Sequence, residues 1–142
     1  FYWKSVFVDN PKFTRSDDDV VNAMLNYGYA IVRAIVARAL VGAGLIPTLG
    51  VHHHNRYDAY CLADDIMEPY RPYVDRLVID IVNAGAPEVL DVNVKRALLE
   101  LPVKEVIIDG IRRPLMLAVS QTVNSLQKCF SGSSRKVIYP SM

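Results

Sequence analysis

A chain of 142 residues, 51% hydrophobic and 22% charged, describes a single soluble globular domain with a real core. Its formal charge of +1 excludes a global electrostatic footprint for nucleic acid, so any DNA surface has to be a local basic patch. Two cysteines far apart, Cys61 and Cys129, argue against a disulfide scaffold and for reduced thiols in a cytoplasmic setting.

No window reads as the uncharged apolar length of a membrane span, no signal peptide is recognisable, and no membrane partner is expected. The chain starts at Phe1 without a methionine, which predicts a piece of something longer. Phe1 to Phe7 (FYWKSVF) reads as the end of a helix, broken by Asp9-Asn10-Pro11. Ser16 and Asp19 form an approximate capping box for a helix from about Asp17 to Val41, closed by Gly42 and Gly44. That helix is apolar nearly all round, the profile of a central buried element, and its tyrosines read as core. Gly28 within it costs helix propensity and predicts the close approach of another helix. Arg33 and Arg38, its only charges after Asp19, must snorkel to a surface or pair with acids of a facing helix.

Pro47 and Gly50 then break the chain ahead of LGVHHHNRYDAYCLADDIMEPYRPYVD, residues 49–75. Asp58 is a candidate N-cap, with Leu62, Ile66, Tyr70, Tyr73, Leu77 and Ile81 on one side of the helix that follows. Asp64, Asp65 and Glu68 fall on the other side at three- and four-residue spacings, where carboxylates can converge. A histidine from the loop of His52, His53 and His54 can fold back over the same point. Imidazole and carboxylates converging on one spot outline a divalent-metal site. The competing readings are a plain polar loop and acids that complement the positive end of the helix dipole. Cys61, beside this stretch, reads as a small buried hydrophobe. The apolar phase carries the helix through Pro69 and Pro72 to Asn83, ending at Gly85, with a bend near Glu68. Arg71 and Asp75 extend its polar side; Arg71 holds a site carboxylate, a phosphate, or an ordinary surface ion pair.

Asp91 caps a short helix to about Glu100, stopped by Pro102. Asp109-Gly110 between two short flanks signals a small hairpin. Pro114 opens the last helix, whose apolar face is Leu115, Ala118, Val119, Thr122, Val123 and Leu126, ending at Ser131-Gly132. The tail, with Lys128, Arg135 and Lys136 as a modest basic cluster, reads as loosely held or docked on a neighbour. The expected fold is mainly α, a bundle-like helical domain with one small β-hairpin.

The block GVHHHNRYDAYCLADDIMEPYRPYVD resembles the signature of the CRISPR-associated endonuclease of spacer acquisition, the DNA-joining integrase subunit. That family carries a glycine, a one-or-two-His loop and a Leu-x-x-Asp-Leu-x-Glu-Pro-x-Arg-Pro helix. NAMLNYGYAIVRAIVARALVGAGLIP lies directly upstream of the loop, where the family has a similar stretch, and the FYW start and IDGIRRPLMLAVSQTVNSLQKCF agree in order. The resemblance implies a helical C-terminal catalytic domain, with the family's N-terminal β domain absent from this sequence. It implies metal ligands at His53 and Glu68, with Asp65 one turn earlier as a further acid. A third ligand, a Glu, would stand just upstream of Phe1. The implied cofactor is Mg2+ or Mn2+. The implied chemistry is cleavage of DNA or its joining into a CRISPR array, with Arg71, Arg56, Arg33 and Arg38 as candidate DNA contacts. The implied partners are DNA, a second copy in a homodimer and a small CRISPR-associated subunit. Without the upstream Glu, this piece alone is expected to turn nothing over and to bind DNA weakly, salt-sensitively and without sequence preference. Two other readings compete: an inert helical interaction module, and a zinc hydrolase using the His cluster. No second cluster is present to complete a closed zinc set.

Overall fold

The computed structural model describes residues 15–45, 63–85 and 87–141. Helix α1, Arg15–Gly42, is the central element. A helical stretch over residues 63–67 passes through a single 3-10 turn, Glu68–Tyr70, into α2, Arg71–Gly85. Helix α3, Val92–Leu98, and a 3-10 turn at Leu101–Val103 lead to strands β1, Glu105–Ile108, and β2, Ile111–Pro114. Helix α4, Leu115–Phe130, and a short strand β3, Pro140–Ser141, complete the fold. This is the mainly α domain expected from the sequence.

Helix α1 packs against α2, α3, α4 and the Leu101–Val103 turn. Its Met24, Val32, Val36 and Leu40 are fully buried, as central position requires. Its described part is already helical at Arg15, so the backbone places Ser16 inside the helix and not at its start. The helix closes as anticipated around Gly44, with Leu45 N–H donating to Leu40 O (3.0 Å) and Gly44 N–H to Val41 O (3.0 Å), a Schellman closure. Residues Asp19–Gly42 are long and apolar enough to cross a membrane by length and composition, contrary to the expectation that no window is. Two arginines are too few charges to offset the apolar residues, and in this fold one row of the helix, with Met24, Val32, Val36 and Leu40, is buried while Ala30, Ala34 and Val41 are exposed.

Gly28 faces α2. A Cβ at this position would lie 2.5 Å from Val74 Cγ1, well inside van der Waals contact, so the two backbones approach because this residue has no side chain. Of the side expected to be apolar, Ile66, Tyr70 and Tyr73 are buried and Leu77 and Ile81 half-buried, and further along α2 the buried row is Val74, Val78 and Val82. Two adjacent rows of this helix are equally apolar, and the groove left by Gly28 selects the one carrying Val74. The bend expected near Glu68 is the 3-10 turn, with Pro69 in its first positions.

Asp91 caps α3 as read, its Oδ1 accepting from Val94 N–H at 2.9 Å. Asp109 (φ 52°) and Gly110 (φ 75°) are the two left-handed central residues of a type I′ turn. They fix the register Val106↔Arg113 and Ile108↔Ile111, which turns Val106 and Ile108 into the core. In α4, Leu115, Ala118, Val119, Thr122 and Val123 are buried as expected. The tail differs from expectation, because β3 pairs with β1 of its own chain, Ile107↔Ser141 and Ile108↔Pro140. Ile138 N–H donates to Ser125 Oγ (2.8 Å), and Tyr73 OH donates to Ser141 O (2.6 Å). These bonds satisfy a strand edge that periodicity cannot reveal, because two residues carry no alternation.

Candidate functional site: the acidic turn and its arginines

The stretch from Ala63 to Tyr70 is anchored by its inner face and polar on its outer one. Ala63, Ile66, Met67 and Tyr70 are buried, and Tyr70 OH shares a 2.7 Å hydrogen bond with Thr122 of α4 in the core. Burial raises the Tyr70 phenol well above its usual range, so it remains a neutral core group. With four inward side chains fixed, Asp65 and Glu68 are presented outward, both exposed. They lie one turn apart, and their hard oxygen donors suit Mg2+ or Mn2+. Asp64 is turned toward α1 and pairs with Arg33, Nη2 to Oδ1 3.0 Å. This meets the expectation that the helix facing α1 supplies an acid to its arginines. Both side chains remain at least half exposed, so the pair orients more than it stabilises.

Arg71 is contacted from two sides. Its Nε lies 3.3 Å from Glu68 Oε2, an ion pair without hydrogen-bond alignment, and the same Nε is buried with no hydrogen-bond partner among the described residues. Its guanidinium carbon sits 5.3 Å from the centre of the Tyr29 ring, within cation–π range. Tyr29 OH in turn donates to Asp75 Oδ1. Burial raises the Asp75 carboxyl above its usual range, opposed by the Tyr29 hydrogen bond and the charge of Arg71. Asp75 therefore belongs to the α1–α2 seam and not to the open polar face where its spacing had put it. Core packing, the role expected of Tyr29, leaves out the contact its hydroxyl makes. No spacing within either helix signals that contact, because it depends on how α1 and α2 pack against each other.

The remaining candidates divide between two places. Arg38 stands five residues after Arg33, roughly 140° around the helix. It lines a separate apolar groove of about 670 Å³ between α1 and α4, beside Ile35, Met116 and Leu117. His52, His53, His54, Arg56, Asp58 and Cys61 lie outside the described residues, as does the FYWKSVF segment. Among the described residues no three His, Cys, Asp or Glu side chains converge on a metal-sized point. Asp65 and Glu68 fit part of a hard-cation site and need a further ligand to make one.

The described part of the site is thus a helical turn with two outward carboxylates, Asp65 and Glu68, beside Arg71. Comparison with known proteins makes the relation specific. The family described as CRISPR associated protein Cas1 matches residues 10–105, and the chain belongs to that family. It is 36% identical over 127 residues to the CRISPR-associated endonuclease Cas1 of Neisseria meningitidis, covering 89% of this chain and 41% of that protein. An Archaeoglobus fulgidus protein, CRISPR-associated endonuclease Cas1 1, is 30% identical over 123 residues, covering 86% of this chain and 33% of that protein. A shorter match, 43% over 68 residues, relates 47% of the chain to CRISPR-associated endonuclease Cas1 1 of Francisella tularensis subsp. novicida, 21% of that protein. The chain thus spans less than half the length of these relatives.

Proposed function

We propose that this chain is the helical catalytic part of a CRISPR-associated DNA endonuclease that cleaves DNA and joins captured fragments into a CRISPR array. The observation that carries the reading is the family match across residues 10–105, which takes in both the histidine loop and the acidic turn. Two relatives matched over most of this chain are themselves named endonucleases.

Glu68 and Asp65 would hold Mg2+ or Mn2+ together with the imidazole of His53. The bound ion would polarise the scissile phosphate and stabilise the departing 3′ oxygen. The chain's own part is positional. Ile66, Met67 and Tyr70 fix the turn that carries the carboxylates, so that Glu68 and Asp65 would be presented together to the ion and not to the phosphate itself. Arg71 balances negative charge beside Glu68, and Arg33 does so beside Asp64. Arg56 would extend the contact to the DNA backbone, while Arg38, in the separate groove between α1 and α4, would meet DNA only if it passes round that side of α1. Two copies of the chain and a small CRISPR-associated subunit would lengthen that basic track, which a net charge of +1 does not supply alone.

The test is a cleavage and joining assay on the full-length protein with Mg2+, Mn2+ or Zn2+ added singly. Activity with the first two, abolished by His53→Ala and by Glu68→Ala in folded protein, is the expected result. Wild-type joining by either variant removes that residue from the reaction, and activity with zinc alone overturns the DNA-joining reading.

A further inference from the structure

We infer that Tyr29 and Asp75 are positioning residues that hold the Arg71 guanidinium at the carboxylate site, where it takes a non-bridging oxygen of the DNA phosphate. The inference rests on the proposed DNA chemistry of the acidic turn and adds two residues to it.

The geometry has three contacts in series. Asp75 accepts from Tyr29 OH, which fixes the rotation and depth of the ring. The ring face carries the Arg71 guanidinium at 5.3 Å. Arg71 then reaches Glu68 Oε2 at 3.3 Å through Nε. Each link is between different elements: Tyr29 on α1, Asp75 on α2, and Glu68 in the 3-10 turn. The guanidinium is thus backed by a ring and has a carboxylate 3.3 Å from Nε, a charge pairing without an aligned hydrogen bond.

An arginine on a surface ordinarily samples many rotamers, and ordering it on substrate binding costs conformational entropy. Here that ordering is done before a ligand arrives. The Arg71 side chain is 38% exposed, so part of it faces solvent while Nε is buried. A planar fork with one edge occupied and another open fits a tetrahedral phosphate oxygen. Glu68 lies on the same guanidinium, which places the phosphate contact beside the carboxylate proposed to hold the ion. Neither Tyr29 nor Asp75 needs to touch DNA for this; both act through Arg71.

The test uses the full-length protein in the joining reaction under single-turnover conditions, with Tyr29→Phe, which keeps the ring and removes only the hydroxyl, and Asp75→Leu, which keeps much of the volume and removes the acceptor. Each variant is expected to lower the rate at saturating DNA by about tenfold, since small misplacements of a positioned group are costly. The half-saturating DNA concentration should move less than about twofold, because one phosphate contact among many is affected. The Arg71 Nε–H resonance should shift or broaden in both variants while Tm is retained. A rate loss accompanied by an equal loss of folded protein, an unmoved Arg71 resonance, or wild-type rates in both variants overturns the inference. Glu68→Ala, run in parallel, separates the two levels. If it is inactive while Tyr29→Phe is unimpaired, only the positioning role fails. If Glu68→Ala is active, the reading of the site fails and this inference with it.

Discussion

Replacing Gly28 by alanine sets two known effects against each other, and the structure decides between them. In an isolated helix the change stabilises by about 1 kcal/mol, because alanine loses less backbone entropy and has the highest propensity. In this fold the new Cβ would stand 2.5 Å from Val74 Cγ1 and 3.5 Å from Leu101 Cδ1. Carbon atoms rest at about 3.5–4.0 Å, so roughly 1 Å of separation has to be found. Val74 cannot supply it by turning, since it is wholly buried and β-branched residues in helices hold one rotamer. The helices must part, and overpacking of this kind costs about 1–3 kcal/mol. With the upper end of that range, less the propensity gain, the net loss is about 2 kcal/mol. In a protein of this size that lowers Tm by roughly 4–8 °C. Urea and thermal unfolding of the full chain read it directly. Adding Val74→Ala removes the clashing methyl, and the double variant should be more stable than the sum of the singles by about 1 kcal/mol or more. A Gly28→Ala protein as stable as wild type, or additive with Val74→Ala, would refute the argument that close approach is why a glycine stands here.

Tyr70→Phe should cost about 1–3 kcal/mol in urea unfolding, because it leaves the Thr122 hydroxyl in the core without the partner it has at 2.7 Å. Ser125→Ala removes the acceptor of Ile138 N–H, 2.8 Å away, so amide exchange should quicken from Ile138 to Ser141 and remain unchanged in β2. Asp64→Ala should reduce DNA joining far less than Glu68→Ala, and unfolding should register at most about 1 kcal/mol for the exposed Arg33 pair. Asp75 yields a pH prediction. Its folded-state pKa is raised above 3.8, so its contribution to stability is fully present below that value and is lost as pH rises through the raised one. The stability of Asp75→Asn relative to wild type should therefore improve as pH rises from below 3.8 through the raised folded-state pKa, and a difference that stays constant with pH would refute it.

The fold was legible where a local rule had a single answer. Asp91 as a cap, Asp109-Gly110 as a turn, Gly44 as a helix closure and the Leu115–Val123 face each depend on a few adjacent residues, and each is present. Legibility failed where a choice depended on a distant partner. Periodicity could not say which of two apolar rows of α2 is central, because the decision is made by Gly28, forty-six residues before Val74. Nor could it place the tail, whose strand is specified by the exposed edge of β1 and by Ser125 and Tyr73.

The site shows the same dependence. Arg71 was visible as a cation on the polar side of its helix, and Asp65 and Glu68 as acids on that side, because helical phase alone sets them there. Tyr29 and Asp75 were not legible together, since neither spacing within α1 nor spacing within α2 says that the two helices touch along that line. What brings them together is the contact one residue earlier in both helices, Gly28 against Val74. The missing Cβ lets α2 lie close enough for the Tyr29 hydroxyl to reach Asp75 and for the Tyr29 ring to lie under Arg71. The close helix approach at Gly28 and the placement of Arg71 on the Tyr29 ring therefore belong to one seam. Gly28→Ala, which parts the helices by roughly 1 Å, should then impair Arg71 as well as stability. The expected result is a DNA-joining rate below wild type at temperatures where the variant is fully folded, with the Arg71 Nε–H resonance displaced. A variant with lowered Tm but wild-type rate and an unmoved resonance would show that packing at Gly28 and positioning at Arg71 are separate.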